Sequence, residues 1–227
     1  MPSHSLDVLA LLNPAVSAKL AALADAWSAT SVPVPARASA SVVLCRDVTD
    51  GGLETYLLHR HARMRFAASM AVFPGGGLDP VDQTAADPLL ACAIRETREE
   101  TGVELAADAL VPWAHWITPE QQPIRYDTTF YLAALPAGQT AQDASSETAD
   151  AGWMRPNEAV DAHRAGRLMM LPPTLSILLE LAELSSLAAA LELGRDRVVE
   201  VVLPHLVREA DGWVFRYPRP SEGPADE

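Results

Sequence analysis

The chain has only two cysteines, Cys45 and Cys92, among its 227 residues. Two thiols build neither a disulfide framework nor a cysteine-based zinc site, and a composition so poor in cysteine suits a reducing, cytoplasmic setting. Basic residues are also scarce: 17 Lys and Arg stand against 30 Asp and Glu, giving a formal charge of −13 and a pI near 4.8. A sequence-independent grip on DNA or RNA needs clustered cations to neutralise phosphates, so nucleic acid is not an expected partner and a small molecule is. The acidic excess carries no positive chemical message, because acidity serves solubility equally well. Long uninterrupted apolar runs are missing as well. Residues 5–27 are rich in Leu and Ala, but Asp7, Asn13, Lys19 and Asp25 break the run and no cationic start precedes it, so neither a secretory signal nor a membrane span is expected. There is no internal repeat, and His59, His61 and His115 lack the spacing of a metal-binding set.

What remains is an ordinary globular composition, 49% hydrophobic and long enough to bury one core. The Leu and Ala spacing of residues 5–27 predicts an amphipathic helix that packs on the domain or on a second subunit. A Ser- and Pro-rich break follows at 29–35. Strands are predicted at 39–46 and 55–60, joined as a hairpin through Asp50, Gly51 and Gly52, with a third ending at Phe73. The run Pro74, Gly75, Gly76, Gly77 is expected to end that strand. Further strands are expected at 110–117, 128–134 and around Trp153, with a mobile polar loop at 137–147. Helices are predicted at 88–101, with Pro88 in its first turn and Gly102 as its stop, at 156–163, and at 174–193 before Gly194. A last hairpin would pair 198–203 with 213–217, and the tail after Pro218 is expected to be disordered. The resulting division is an N-terminal helix and linker (1–37), a central domain (38–168), a C-terminal helix and hairpin (169–218) and a tail (219–227). Leu175, Leu178, Leu179, Ala182, Ala189 and Leu193 recur at helical spacing, a face that either packs inside the chain or joins two subunits, so monomer and homodimer are both open.

The informative stretch is residues 95–103: Arg95, Glu96, Thr97, Arg98, Glu99, Glu100, Thr101, Gly102, Val103. At about 100° per residue, Glu96, Glu99 and Glu100 fall within an arc of roughly 100° and project to one side. Leu90, Ile94, Thr97 and Thr101 take the opposite flank. Three carboxylates on one face repel one another, and they sit near the helix C-terminus, where the macrodipole also disfavours negative charge. Hard divalent cations take oxygen ligands, and Mg²⁺ is usually held by a few carboxylates together with substrate phosphates. A solvated acidic face with Arg95 and Arg98 in surface ion pairs is the plain alternative.

With Gly76 upstream, these nine residues resemble the Nudix box. Gly76 is followed after five residues by Asp82, where the family has glutamate, and twelve residues rather than seven then precede Arg95; Thr97 replaces an aliphatic residue. The resemblance implies an α/β/α sandwich around a mixed sheet, here with extra N-terminal and C-terminal helices. It implies Mg²⁺ or Mn²⁺ held by Glu96, Glu99 and Glu100, with Arg95 orienting a glutamate by an ion pair. Glu99, Glu96 or a loop acid such as Glu147 would take the proton of the attacking water.

Upstream, Arg60, then Arg65, then Phe73, Pro74, Gly75 and Gly76 resemble the signature of the coenzyme A diphosphatases, with Ser69 in place of its glycine and Leu58 in place of its threonine. Trp116 to Glu120, Arg125 to Thr128, Trp153 and the pair Pro172 and Pro173 are similar to the branch holding the peroxisomal enzymes and their bacterial relatives. Arg60, Arg65, Gly75 and Gly76 are therefore expected to meet substrate. Met64, Phe66, Met70 and Trp116 are candidates to line an apolar pocket for an acyl or pantetheine arm, with plain core packing as the alternative. The implied activity is hydrolysis of coenzyme A or acyl-coenzyme A. NADH or ADP-ribose as substrate, or a non-catalytic nucleotide-binding regulator, are the competing readings.

Overall fold

The computed structural model describes residues 12, 16–28, 30–61, 67, 69–144 and 148–217. Its central strand, β1 (Arg37–Asp47), explains the layering. Successive strand side chains point to opposite faces. Ala40, Val42 and Leu44 thus enter one core while Val43 and Cys45 enter another, and an unbroken apolar run is what a strand covered on both faces requires.

The sheet gathers β2 (Leu53–Arg60), β3 (Ala71–Val72), β4 (Gly75–Gly77), β5 (Val111–Ile117), β6 (Tyr126–Ala134), β7 (Thr148–Met154) and β8 (Val201–Val202) around β1. Its order is β3-β2-β1-β6-β5-β8, with β4 paired to β1 and β7 to β2. β1 runs parallel to β6 and β5 to β8, while the other pairs are antiparallel, so the sheet is mixed. Helix α2 (Pro88–Thr101) covers one face through Cys92 and Ala93. Helices α3 (Pro156–Arg164), α4 (Pro172–Ala182) and α5 (Leu187–Arg195) cover the other, where Trp113, Phe130 and Leu132 meet Val160, Leu175, Ile177, Leu178 and Leu181. This is the expected α/β/α sandwich. The apolar face of Leu175 and Leu178 is buried within the chain, 1% and 0% exposed, whereas Leu193 remains 48% exposed.

Five sequence expectations need correction. Gly75–Gly77 does form a strand, in register with Ser39–Ser41. The absence of side chains permits the approach: a Cβ on Gly75 would lie 2.4 Å from the Ala40 carbonyl oxygen. Pro74 joins in through its carbonyl, which accepts from Val42 N–H at 2.8 Å. The helix expected at 174–193 is two helices bent by 114°. Ser186 restarts it, its hydroxyl accepting from Ala189 N–H at 3.2 Å. Gly194 lies inside α5 rather than ending it, because a Cβ there would sit 2.7 Å from Val111 Cγ1.

The last hairpin is shifted: β9 (His205–Glu209) pairs with β10 (Gly212–Arg216). The two-residue turn at Ala210 and Asp211 fixes that register, and Val201–Val202 instead extends the main sheet beside His115 and Trp116. Finally, the polar stretch after Ala137 is tied down as far as residue 144. Gln142 and Ala144 donate to the carbonyls of Thr101 and Glu100 at 3.0 and 3.1 Å, satisfying carbonyls that the end of α2 leaves open.

Of the N-terminal helix, the residues around α1 (Ala18–Asp25) are described, and they pack on the hairpin. Leu20 and Ala24 form a small core with Leu206, flanked by Trp213 and Phe215. Asp25 pairs with Arg208 and accepts from Trp213 Nε1 at 3.0 Å. Residues 5–11 and the tail after Pro218 lie outside the described residues. Among the described residues no single helix is long and apolar enough to cross a membrane.

Candidate active site

Helix α2 is delimited by its own ends. Asp87 caps it by accepting from Leu90 N–H at 3.1 Å, Pro88 opens the first turn, and Gly102 closes it at φ 72° while donating to Arg98 O at 2.9 Å. Thr97 and Thr101 are fully buried against the sheet, their hydroxyls satisfied by the Ala93 and Thr97 carbonyls at 2.7 and 2.6 Å. That local pairing lets a threonine stand where the Nudix box has an aliphatic residue.

The three glutamates share a face but differ in depth. Glu100 is buried and accepts from Gly75 N–H at 2.8 Å; the Glu96 side chain is 16% exposed and that of Glu99 50%. Arg95 is the hub. It bonds Asp82 through two nitrogens at 3.0 and 2.8 Å, Glu96 at 2.7 Å, Glu99 at 3.1 Å and the Gly77 carbonyl at 3.1 Å. The Arg95 bonds hold the Asp82 carboxyl below its ordinary range, and the guanidinium is itself more firmly charged in return. Burial pushes the Glu96 carboxyl up, against the opposing hydrogen bond from Arg95. The Cys92 thiol is pushed up to about 12, chiefly by burial, and burial raises Cys45 as well. Both thiols are buried and neither lines the cleft described below.

Strand β4 brings the glycines to the helix. A Cβ on Gly76 would lie 2.4 Å from Glu96 Oε1, so this glycine leaves the space that Glu96 occupies. Gly75, Gly76, Glu96, Glu99, Glu100 and Arg60 all line one cleft of about 820 Å³. The structure therefore unites Arg60, the two glycines and the three glutamates. Arg65 and Glu147, together with Met64 and Phe66, lie outside the described residues. Trp116 lines the cleft as expected; Met70 does not, nor do His59, His61 and His115.

The carboxylate set has the all-oxygen chemistry of a hard divalent cation's ligands: Asp82, Glu96 and Glu99 gather around one guanidinium, and Glu100 accepts from Gly75 N–H. Among the described residues no three acidic, histidine or cysteine side chains come together as a set that could hold a metal ion. The reason is local, since Arg95 draws off Glu96 and Glu99 while Gly75 N–H draws off Glu100. Such ions usually complete their shell with water and substrate phosphates rather than with an all-protein cage.

Several lining residues carried no recognisable sequence signal: Ser39, Ser41 and Asp79, and above all Pro204, Phe215 and Tyr217 from the C-terminal segment. Of the residues at 125–128, Tyr126 and Thr128 line the cleft, whereas Arg125 is buried beneath it, donating to the Val34 and Thr118 carbonyls at 2.8 and 3.0 Å.

Comparison with known proteins agrees with this geometry. The family model described as NUDIX domain matches residues 35–172, more than half of the chain. The Caenorhabditis elegans protein named "Putative nudix hydrolase 7" is 28% identical over 182 residues, covering 65% of this chain and 61% of that protein. Acyl-coenzyme A diphosphatase NUDT19 of Gallus gallus is 32% identical over 127 residues, covering 52% of this chain and 33% of that protein. The chain thus spans less than two thirds of either relative. The crystal structure of a NUDIX hydrolase from Alicyclobacillus acidocaldarius superposes with a TM-score of 0.60 at 24% identity, over 66% of this chain and 93% of that one, a likeness of fold. With the family model matched over its central domain and the box residues assembled on β4, the following loop and α2, the chain belongs to the Nudix family.

Proposed function

We propose that the protein hydrolyses a diphosphate linkage in a nucleotide-derived small molecule with Mg²⁺ or Mn²⁺, and that its substrate is coenzyme A or acyl-coenzyme A. The observation that carries this reading is that three helix glutamates, two strand glycines and Arg60 all line one cleft. Glu96, Glu99 and Glu100 would hold the ion. When bound, it neutralises charge on the diphosphate oxygens and lowers the pKa of the attacking water. The chain's own residues supply the rest. Arg60 offers planar donors for a phosphate, an attraction that an acidic protein must concentrate locally to bind an anion. Glu99 is open to the cleft, and Glu96 has its carboxyl raised by burial, so both are placed to accept the water's proton. Arg95 keeps Glu96 and Glu99 oriented while Asp82 anchors Arg95 from behind.

The coenzyme A assignment rests on Arg60 with the Phe73 to Gly76 run and on the Gallus gallus relative's named activity. Product identification after incubation with Mg²⁺ or Mn²⁺ and coenzyme A, acetyl-coenzyme A, NADH, ADP-ribose and nucleoside triphosphates tests it. Release of adenosine 3′,5′-bisphosphate from coenzyme A is expected. Cleavage of NADH or ADP-ribose alone would discard the coenzyme A assignment, and no metal-dependent cleavage of any of them would discard the enzyme.

A further inference from the structure

We infer that part of the cleft is a subsite for a hydrocarbon chain carried by the substrate, and that Phe215 and Tyr217 of the C-terminal hairpin set its length preference. The inference rests on the diphosphatase reading for the identity of the ligand, but not for the existence of the subsite.

The glutamates occupy only one part of the lining. Another part is Trp116, Phe130, Pro204, Phe215, Tyr217 and the segment from Leu171 to Pro173. Its aromatic rings pack on one another: Trp116 and Tyr217 meet edge to face at 6.0 Å between ring centres, and Phe215 and Tyr217 lie 6.4 Å apart. Phe215 and Tyr217 remain partly exposed into the space they border. A cleft of about 820 Å³ approaches the upper end of ligand sites, roughly 300–1,000 Å³, and so has room for more than a diphosphate.

The chemistry of this wall discriminates between two kinds of occupant. A nucleobase carries a polar edge that must be matched when it is buried. In this group Pro172, Pro173 and Pro204 have no N–H to give, the phenylalanine side chains have no polar atom, and the Tyr217 hydroxyl already donates to the Leu12 carbonyl, so the polar partners a nucleobase needs would come from elsewhere in the lining, from Thr118, Gln122, Tyr126 and Thr128. A hydrocarbon chain needs no such partners and gains from every methylene it buries. Because the wall and the glutamates border one continuous cleft, a single ligand with an anionic part and an aliphatic arm fills both.

The hairpin is a built wall. It is braced from outside by α1 through Leu20, Ala24 and Asp25, and β8 and Pro204 lead into it from the edge of the main sheet. Pro204, Phe215 and Tyr217 lie beyond residues 35–172, so the chain's own extension completes a wall that the family domain begins with Trp116, Phe130, Leu171 and Pro172.

The test is a calorimetric titration of the full chain with pantetheine and with S-octanoyl-pantetheine, neither of which has a diphosphate, alongside KM values for coenzyme A and octanoyl-coenzyme A. Each methylene buried is worth up to roughly fourfold in affinity, so the octanoyl arm should tighten binding at least tenfold and lower KM comparably. Phe215→Ser should remove most of that gain and Phe215→Leu retain it. Equal affinity for the two pantetheines in the native chain would overturn the subsite, whether or not Phe215→Ser folds. Equal gains in native and Phe215→Ser proteins would overturn the assignment to the hairpin. A tenfold gain with no cleavage of either coenzyme would leave the subsite standing and remove the proposed hydrolysis instead.

Discussion

Arg95 holds Asp82 in a two-pronged ion pair, Nε to Oδ1 at 3.0 Å and Nη2 to Oδ2 at 2.8 Å, with Asp82 almost fully buried. Twelve residues separate Asp82 from Arg95, and this pair draws the loop between them back to the helix. Removing one partner of a buried pair costs about 3–5 kcal/mol, and Asp82→Ala should destabilise the fold by an amount in that range at neutral pH. The pH dependence has a definite sign. The folded carboxyl titrates below its usual value of 3.8, so its contribution is present above that value and lost as pH falls through the folded one. Urea unfolding of native and Asp82→Ala proteins at pH 7 and pH 3 should show a large difference at the first pH and a smaller one at the second.

Glu96 carries the opposite linkage. Burial raises its carboxyl pKa, so the folded chain binds this proton more readily than the unfolded chain, and the ionised group costs stability as pH rises past 4.5. Glu96→Gln should leave the metal-free melting temperature unchanged or higher. Its activity should nevertheless fall by more than the roughly 10–100-fold expected of a residue that only orients a metal ligand. Melting in EDTA and initial rates in Mg²⁺ check the two halves, and a large drop in both would mean that Glu96 is structural.

The two glycines should separate in the same way. Alanine at Gly76 meets the Glu96 carboxylate first, at 2.4 Å, a side chain that can swing aside, and should cost activity while changing stability little. At Gly75 the new Cβ meets backbone, 2.4 Å from the Ala40 oxygen and 2.6 Å from Ser41 Cα, which cannot swing aside. Gly75→Ala should therefore cost about 1–3 kcal/mol of stability in denaturant unfolding.

Arg60 bears on substrate choice. A hydrogen bond to a charged group is worth about 1.5–3 kcal/mol, so Arg60→Ala should raise the KM for coenzyme A by roughly 10–100-fold while sparing cleavage of NADH or ADP-ribose. An unchanged KM would separate Arg60 from substrate recognition.

What could be read from the chain divides along local and long-range lines. Helix α2 was legible to its ends because Pro88 and Gly102 are local signals, and the carboxylate face follows from helical geometry alone. The mixed sheet and its two coverings were expected from the resemblance to the Nudix box, not from the pattern of any one strand. The strand pairing of Gly75–Gly77 was not, since it depends on how close β1 comes rather than on strand propensity. Nor was the bend between α4 and α5, where apolar periodicity continues across the break and only Ser186 marks the restart. The contribution of Phe215 and Tyr217 to the cleft was invisible because it joins residues about a hundred positions apart.

The most direct test of the account is the initial rate of coenzyme A cleavage as Mg²⁺ is titrated into the metal-free protein, measured for the native chain and for Glu96→Gln, Glu99→Gln and Glu100→Gln. The account predicts no cleavage without metal, saturation in the native chain, and a loss of rate or of metal affinity in each variant. Full activity in Glu100→Gln and Glu96→Gln, or cleavage that continues in EDTA, would contradict it.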